Sequence, residues 1–222
     1  MGAWGSSAHP PRLHEAWDEL LRRYVGVVGG QYWNEGDEAR VRTRVDDWPI
    51  VLEVHTGHTT SRMLARYESV DGFEFKVGVK RWFHDLGHVF GSRDVDIGDQ
   101  RLLEHYSVEA NDEDKVRRLL GNQKLRDAWF SCHEAGFRGG SLHPFLHRFA
   151  TREHDSGWEL AAYIDYHVTS GERALKGLLA VHDLVGETLR ELADMGSASR
   201  KSATKYPRGG KSLRRQKRRR RK

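Results

Sequence analysis

The sequence predicts an α+β fold: a mostly antiparallel sheet built on a β-meander, covered by an N-terminal helix and a long C-terminal helix, with a disordered basic tail. Three observations predict it. Between Ala39 and Lys80, four short runs alternate apolar and polar residues with turn residues between them. Stretches whose apolar residues recur at three-and-four spacing lie before and after this strand-rich region. Residues 200–222 hold 13 Lys or Arg and no acid, with too few apolar residues to fold. The expected organisation is a disordered N-terminus over 1–11, a single α+β domain over 12–196 and a disordered polybasic tail over 197–222.

In chain order, Leu13, Ala16, Trp17, Leu20, Leu21, Tyr24 and Val28 fall on one helical face, with Pro11 suited to its start and Gly29-Gly30 to its stop. Ala39, Val41, Thr43 and Val45 form the inward phase of a first strand. Trp48, Ile50, Leu52 and Val54 form a second, and Met63, Ala65 and Tyr67 a third. Asp71-Gly72 reads as a two-residue hairpin turn, because Gly accepts positive φ, with Phe73, Phe75, Val77 and Val79 in the strand that follows. Trp82, Phe83, Leu86, Val89 and Phe90 suggest a short helix. Tyr106 and Val108 suggest a brief strand, and Asn111 a helix N-cap ahead of Val116, Leu119 and Leu120. Leu125, Ala128, Trp129 and Phe130 mark another helix, and two more strands are expected between Leu142 and Val168. The clearest helix is Gly171 to Met195, with Ala174, Leu178, Val181, Val185, Leu189 and Leu192 at helical spacing and Gly196 as its stop.

Several of these segments together resemble a bacterial protein family of unknown function, over roughly residues 30–198. The segments are Asp71-Gly72-Phe73-Glu74-Phe75, Asp94 to Asp99, Asn111-Asp112-Glu113 with Lys115-Val116-Arg117, and Met195-Gly196-Ser197. The resemblance implies a soluble bacterial α+β domain and assigns no catalytic residue. His84, His88 and the basic tail depart from it.

Charge is unevenly distributed. The overall net charge of +5 conceals a tail of +13 and a body in which 24 basic residues face 32 acidic ones, a net of −8 with His neutral. With no run of 18 or so apolar residues and no secretory pattern at the N-terminus, a soluble cytoplasmic protein is expected. Met-Gly-x-x-x-Ser at residues 1–6 also fits a loose acylation pattern. Cys132 is alone and forms no internal disulfide.

Chemistry-bearing clusters are sparse. His84-Asp85-x-x-His88 places two imidazoles one helical turn apart, a spacing that suits a divalent transition metal; His55 with His58 and His143 with His147 are weaker pairs. Asp94, Asp96 and Asp99 around Gly98 could ligate a hard cation, but Asp and Gly are also ordinary turn residues. Cys132-His133-Glu134 lies together only in sequence. No nucleophile elbow, Walker A loop or dinucleotide fingerprint occurs. Arg40, Arg42, Arg44, Arg62, Arg66, Lys76 and Lys80 could form a basic sheet face, interrupted by Glu53, Glu68 and Glu74. The tail points outward most directly: Lys211, Arg214, Arg215, Lys217, Arg218, Arg219, Arg220, Arg221 and Lys222 are close enough together to contact neighbouring phosphates. The expected function is a non-enzymatic binding domain attached to an anionic polymer, nucleic acid first and an anionic membrane surface second, with no cofactor. A metal-dependent hydrolase using His84 and His88 is the alternative.

Overall fold

Alternating apolar residues build a sheet with one face for helices and one for charged groups, and apolar helical stripes supply the cover. The computed structural model describes residues 13–35, 38–55, 60–80, 95–135, 137–138, 141–142, 146–154, 157–165 and 171–199. Element order is α1 (Leu13–Val28), β1 (Gln31–Glu35), β2 (Glu38–Val45), β3 (Trp48–His55), β4 (Thr60–Ser69), β5 (Phe75–Val79), α2 (Gln100–His105) and β6 (Tyr106–Ala110). It continues with α3 (Glu113–Gly121), α4 (Gln123–Ala135), a small β7 (Phe137–Arg138) and β8 (Ser141–Leu142) pair, β9 (Leu146–His154), β10 (Gly157–Asp165), α5 (Gly171–Asp194) and β11 (Ala198–Ser199).

The large sheet runs β1-β2-β3-β4-β10-β9-β5-β6, with β11 paired to β4, and every pairing is antiparallel. Strands β1 to β4 are a meander. The Asp71-Gly72 hairpin is not formed: the β9–β10 hairpin occupies the place beside β4, and β5 lies two strands further on, between β9 and β6. Gly72 does take φ +68°, but as part of a corner. The Ser69 hydroxyl accepts from the Gly72 amide at 3.0 Å and Asp71 Oδ1 accepts from the Phe73 amide at 3.0 Å. These bonds turn the chain out of β4 and across the sheet.

Asn111 does not cap α3 either. Its Oδ1 accepts from the Glu74 amide at 2.9 Å and its Nδ2 donates to the Gly72 carbonyl at 2.8 Å, so it fastens the crossing segment. Asp112 is the cap, accepting from the Lys115 amide at 3.0 Å. Asn122 then serves two helices: its amide N–H donates to the Leu119 carbonyl at the end of α3, and its Oδ1 accepts from Lys124 and Leu125 to open α4. The expected helix around Trp82 to Phe90 lies outside the described residues.

The core lies between the sheet and the helices. Trp17, Leu20, Leu21 and Tyr24 of α1 and the α5 stripe from Ala174 to Leu192 join Val41, Ile50, Leu52, Met63, Leu160, Phe149 and Val77 from one face of the sheet. Each such aliphatic side chain contributes about 1.5–3 kcal/mol on leaving water, before entropy is set against it. Helix α5 packs along α4, and against α1, β4 and β10. It comes so close to β2 that a Cβ on Gly186 would stand 2.9 Å from Val45 Cγ1. After α5, Ser197 to Ser199 belong to the fold, although composition groups them with the tail. Ser197 is buried, its hydroxyl donates to Asp71 Oδ2 at 2.7 Å, and Ala198 pairs with Ser69.

Three substitutions test this frame. Gly30 has φ +118°, and a Cβ there would lie 2.2 Å from the Arg42 carbonyl oxygen; at Gly29, with φ +74°, the space is open. In urea unfolding, Gly30→Ala is expected to cost about 2–4 kcal/mol from strain plus overlap, and Gly29→Ala about 1 kcal/mol from strain alone. Burial pushes the Asp71 carboxyl up, but Lys115, the Ser197 hydroxyl and the Phe73 amide outweigh it and hold the group below the usual range. A carboxyl depressed in the folded state stabilises above its unfolded pKa, and that stability is lost as pH falls through the folded value. Asp71→Asn should therefore flatten the decline of stability below about pH 4, as read by unfolding midpoints across pH.

Candidate functional site

Helices on one face of the sheet leave its other face to alternate strand positions, and register makes that second face a continuous surface. Val51, Leu64, Ala161, Ala150, Lys76 and Glu109 stand side by side across six strands. All six are buried, and none belongs to the main core cluster. Lys76 Nζ lies 3.8 Å from Glu109 Oε2, with side chains 5% and 2% exposed. Burial pushes the Lys76 ammonium down, Glu109 opposes this and Arg148 adds to it.

The cationic sheet face expected from Arg40, Arg42, Arg44, Arg62, Arg66, Lys76 and Lys80 is largely engaged by acids, a backbone carbonyl and an aromatic ring. Arg62 grips Glu53 Oε2 through Nε and a terminal nitrogen, both at 2.7 Å. Arg40 sits 2.9 Å from Glu38 and 3.7 Å from Glu53. Arg42 lies over the Trp33 ring, and Arg44 donates to the Asp47 carbonyl. Exposed pairs of this kind contribute about 0–1 kcal/mol each, so they neutralise the face more than they stabilise the fold.

The acidic loop has structural duties. Asp96 Oδ1 accepts from the Gly98 amide at 2.9 Å, and Asp99 caps α2 by accepting from Arg101 and Leu102. Among the described residues no group of three or more His, Cys, Asp or Glu is placed to hold a metal ion. His84, His88, Asp94, His58 and His143 lie outside the described residues, as do Lys211 to Lys222.

A second feature brings together residues that sequence spacing did not connect. The end of α2 and the last turns of α4 meet over a cleft of about 120 Å³ lined by Arg101, Glu104, His105, Tyr106, Trp129, Phe130 and His133, with Leu102 at its base. The His105 and His133 rings stack, centroids 4.9 Å apart and planes 22° from parallel. Tyr106 meets Trp129 edge to face at 5.1 Å. The Arg101 guanidinium lies 4.4 Å from the Phe130 ring centroid. The Tyr106 hydroxyl and the Trp129 indole N–H are buried without a hydrogen bond of good geometry. A polar group left so costs about 1–3 kcal/mol. Burial pushes the His133 imidazolium pKa down, and the nearby His105 and Arg101 charges push the same way. Cys132, the other half of the sequence pair, is fully buried, and burial pushes its thiol far up, so it is a packing residue and not a nucleophile. Only the adjacency of Cys132 and His133 drew attention to this region; His105 joins it through tertiary packing alone.

No family model and no curated protein matches the chain. One similar solved structure is the mycobacterial trehalose monomycolate transport factor A, TtfA, at 11% sequence identity and a TM-score of 0.46, covering 78% of this chain and 95% of that one.

Removing one member of the buried Lys76–Glu109 pair leaves an uncompensated charge, whereas removing both does not. Lys76→Met is expected to cost about 3–5 kcal/mol in chemical unfolding, and the Lys76→Met/Glu109→Leu double variant to recover most of it.

Proposed function

We propose that the chain is a non-enzymatic α+β binding domain that residues 200–222 attach to an anionic polymer, nucleic acid in the first place, in a cytoplasmic setting. The observation that carries this reading is the separation of charge: 13 basic residues and no acid after residue 199, against a net of −8 before it. The fold supports it in two ways. Its last described strand, β11, is fixed to β4 and to the Asp71 corner, so the basic segment follows an anchored point of the chain. The sheet arginines are largely engaged with Glu38, Glu53, a backbone carbonyl or an aromatic ring, which leaves the tail as the main candidate for phosphate contact. No helix among the described residues is long and apolar enough to cross a membrane.

Lys211, Arg214, Arg215, Lys217, Arg218, Arg219, Arg220, Arg221 and Lys222 would each displace counterions on meeting a phosphate, with about −0.9 added to the slope of log affinity against log salt per duplex phosphate neutralised. Anisotropy titration of labelled DNA and RNA with the full chain and with residues 1–199 is expected to show a slope of about −3 or steeper for the full chain. The truncated chain should not bind, and its melting temperature should be unchanged. Binding that persists without the tail would sink the reading, and binding to anionic vesicles but not to nucleic acid would reassign the polymer to a membrane surface.

A further inference from the structure

We propose that the cleft between α2 and α4 binds a small oxyanion, a carboxylate or a phosphate group, through Arg101 with the His105 and His133 imidazoles. Three features of the cleft point to such an occupant. Its described lining is rich in donors: one guanidinium, two imidazoles, a phenol and an indole N–H, against one carboxylate among the described residues, that of Glu104. Arg101 is engaged through the face of its guanidinium, over Phe130, and makes no side-chain hydrogen bond or ion pair with another described residue, so its N–H edges remain available for a planar or tetrahedral oxyanion. The Tyr106 hydroxyl and the Trp129 N–H, on residues 2% and 1% exposed, have only each other as near polar partners and no hydrogen bond of good geometry, so an acceptor in the cleft would complete them after a small side-chain shift.

A divalent metal fits less well. Two nearly parallel stacked rings hold their nitrogen lone pairs side by side instead of converging on one point, and among the described residues no third ligand completes a group. An anion also relieves the arrangement. His133 faces His105 and Arg101 from α2, with Glu134 on its own helix the opposing charge, Glu104 across the cleft and the Tyr106 phenol beside it. A negative group between them converts mutual repulsion of the cations into attraction to a common centre. Binding should therefore tighten as pH falls through the imidazole range.

The test reads His133 directly in the full chain. Histidine ring signals are followed by NMR across pH in sodium chloride, inorganic phosphate and acetate at matched ionic strength. His105→Gln and His133→Gln provide the assignments. The expected result is a rise of roughly 0.5 pH unit or more in the His133 midpoint with phosphate or acetate relative to chloride, lost in Arg101→Gln. Whichever anion produces the rise identifies the preferred group. Identical midpoints in all three salts would overturn the proposal. So would a rise that Arg101→Gln retains, because the tail and bulk screening are unchanged in that variant.

Discussion

The described structure depends on burying the wide apolar stripe of α5. Ala174, Leu178, Val181, Val185, Leu189 and Leu192 repeat on one side of a 24-residue helix, with Ala180, Leu184 and Thr188 widening the stripe. So broad a surface needs both a sheet and neighbouring helices, and α5 finds the sheet at β4 and β10, α1 on one flank and α4 on the other. Close approach is part of the solution: Gly186 admits Val45, and Thr188 satisfies its buried hydroxyl by donating to the Leu184 carbonyl at 2.7 Å. With the helices gathered in this way, the other sheet face must manage its own polar groups. The Lys76–Glu109 pair and the Arg40–Glu53–Arg62 chain follow from that division.

Much of this was legible in local pattern, and the illegible part has a common cause. Period-two alternation located β2, β3 and β4, and helical spacing located α1, α4 and α5, because in each case the pattern lies within one element. Pairing order does not. The run from Phe73 to Val79 alternates just as a strand adjacent to β4 would, and nothing in it records that β9 and β10 intervene. Asp71-Gly72 has the residues of a tight turn, but the carboxylate has partners 44 and 126 positions away in Lys115 and Ser197, and these convert the turn into a corner. Asn111 failed as a cap for a related reason: its amide serves the Gly72 to Glu74 segment, and the neighbouring Asp112 was equally able to cap. The strand Gln31–Glu35 has little alternation to detect, being polar but for Tyr32 and Trp33.

The same distinction governs the functional reading. The proposed role of the tail is legible because its physics is compositional: thirteen like charges in 23 residues would attract a polyanion whatever their conformation. The imidazole cleft is illegible because its components lie on two helices, with His105 and His133 in unrelated local contexts. Reading Cys132 and His133 as a chemical pair inverts their environments. They are adjacent on α4, yet one is fully buried in the core while the other lines the cleft.

The anion sites proposed for tail and cleft would act by different physics. Attraction by the tail would be long-ranged and multivalent, so salt would screen it over roughly 10 Å at 0.1 M and it would discriminate little among polyanions. In the cleft, a few donors are held by α2 and α4 around a volume that admits only a small group, so geometry and protonation select the ligand more than charge number does. One feature can therefore act without the other. A polymer too large to enter the cleft would still concentrate the chain through the proposed tail contact, and a small oxyanion too weakly charged to hold the tail would still respond to Arg101. On the proposed reading the acidic body would reinforce this separation, because its net charge would repel a polyanion from the folded surface and confine lasting contact to the segment after Ser199.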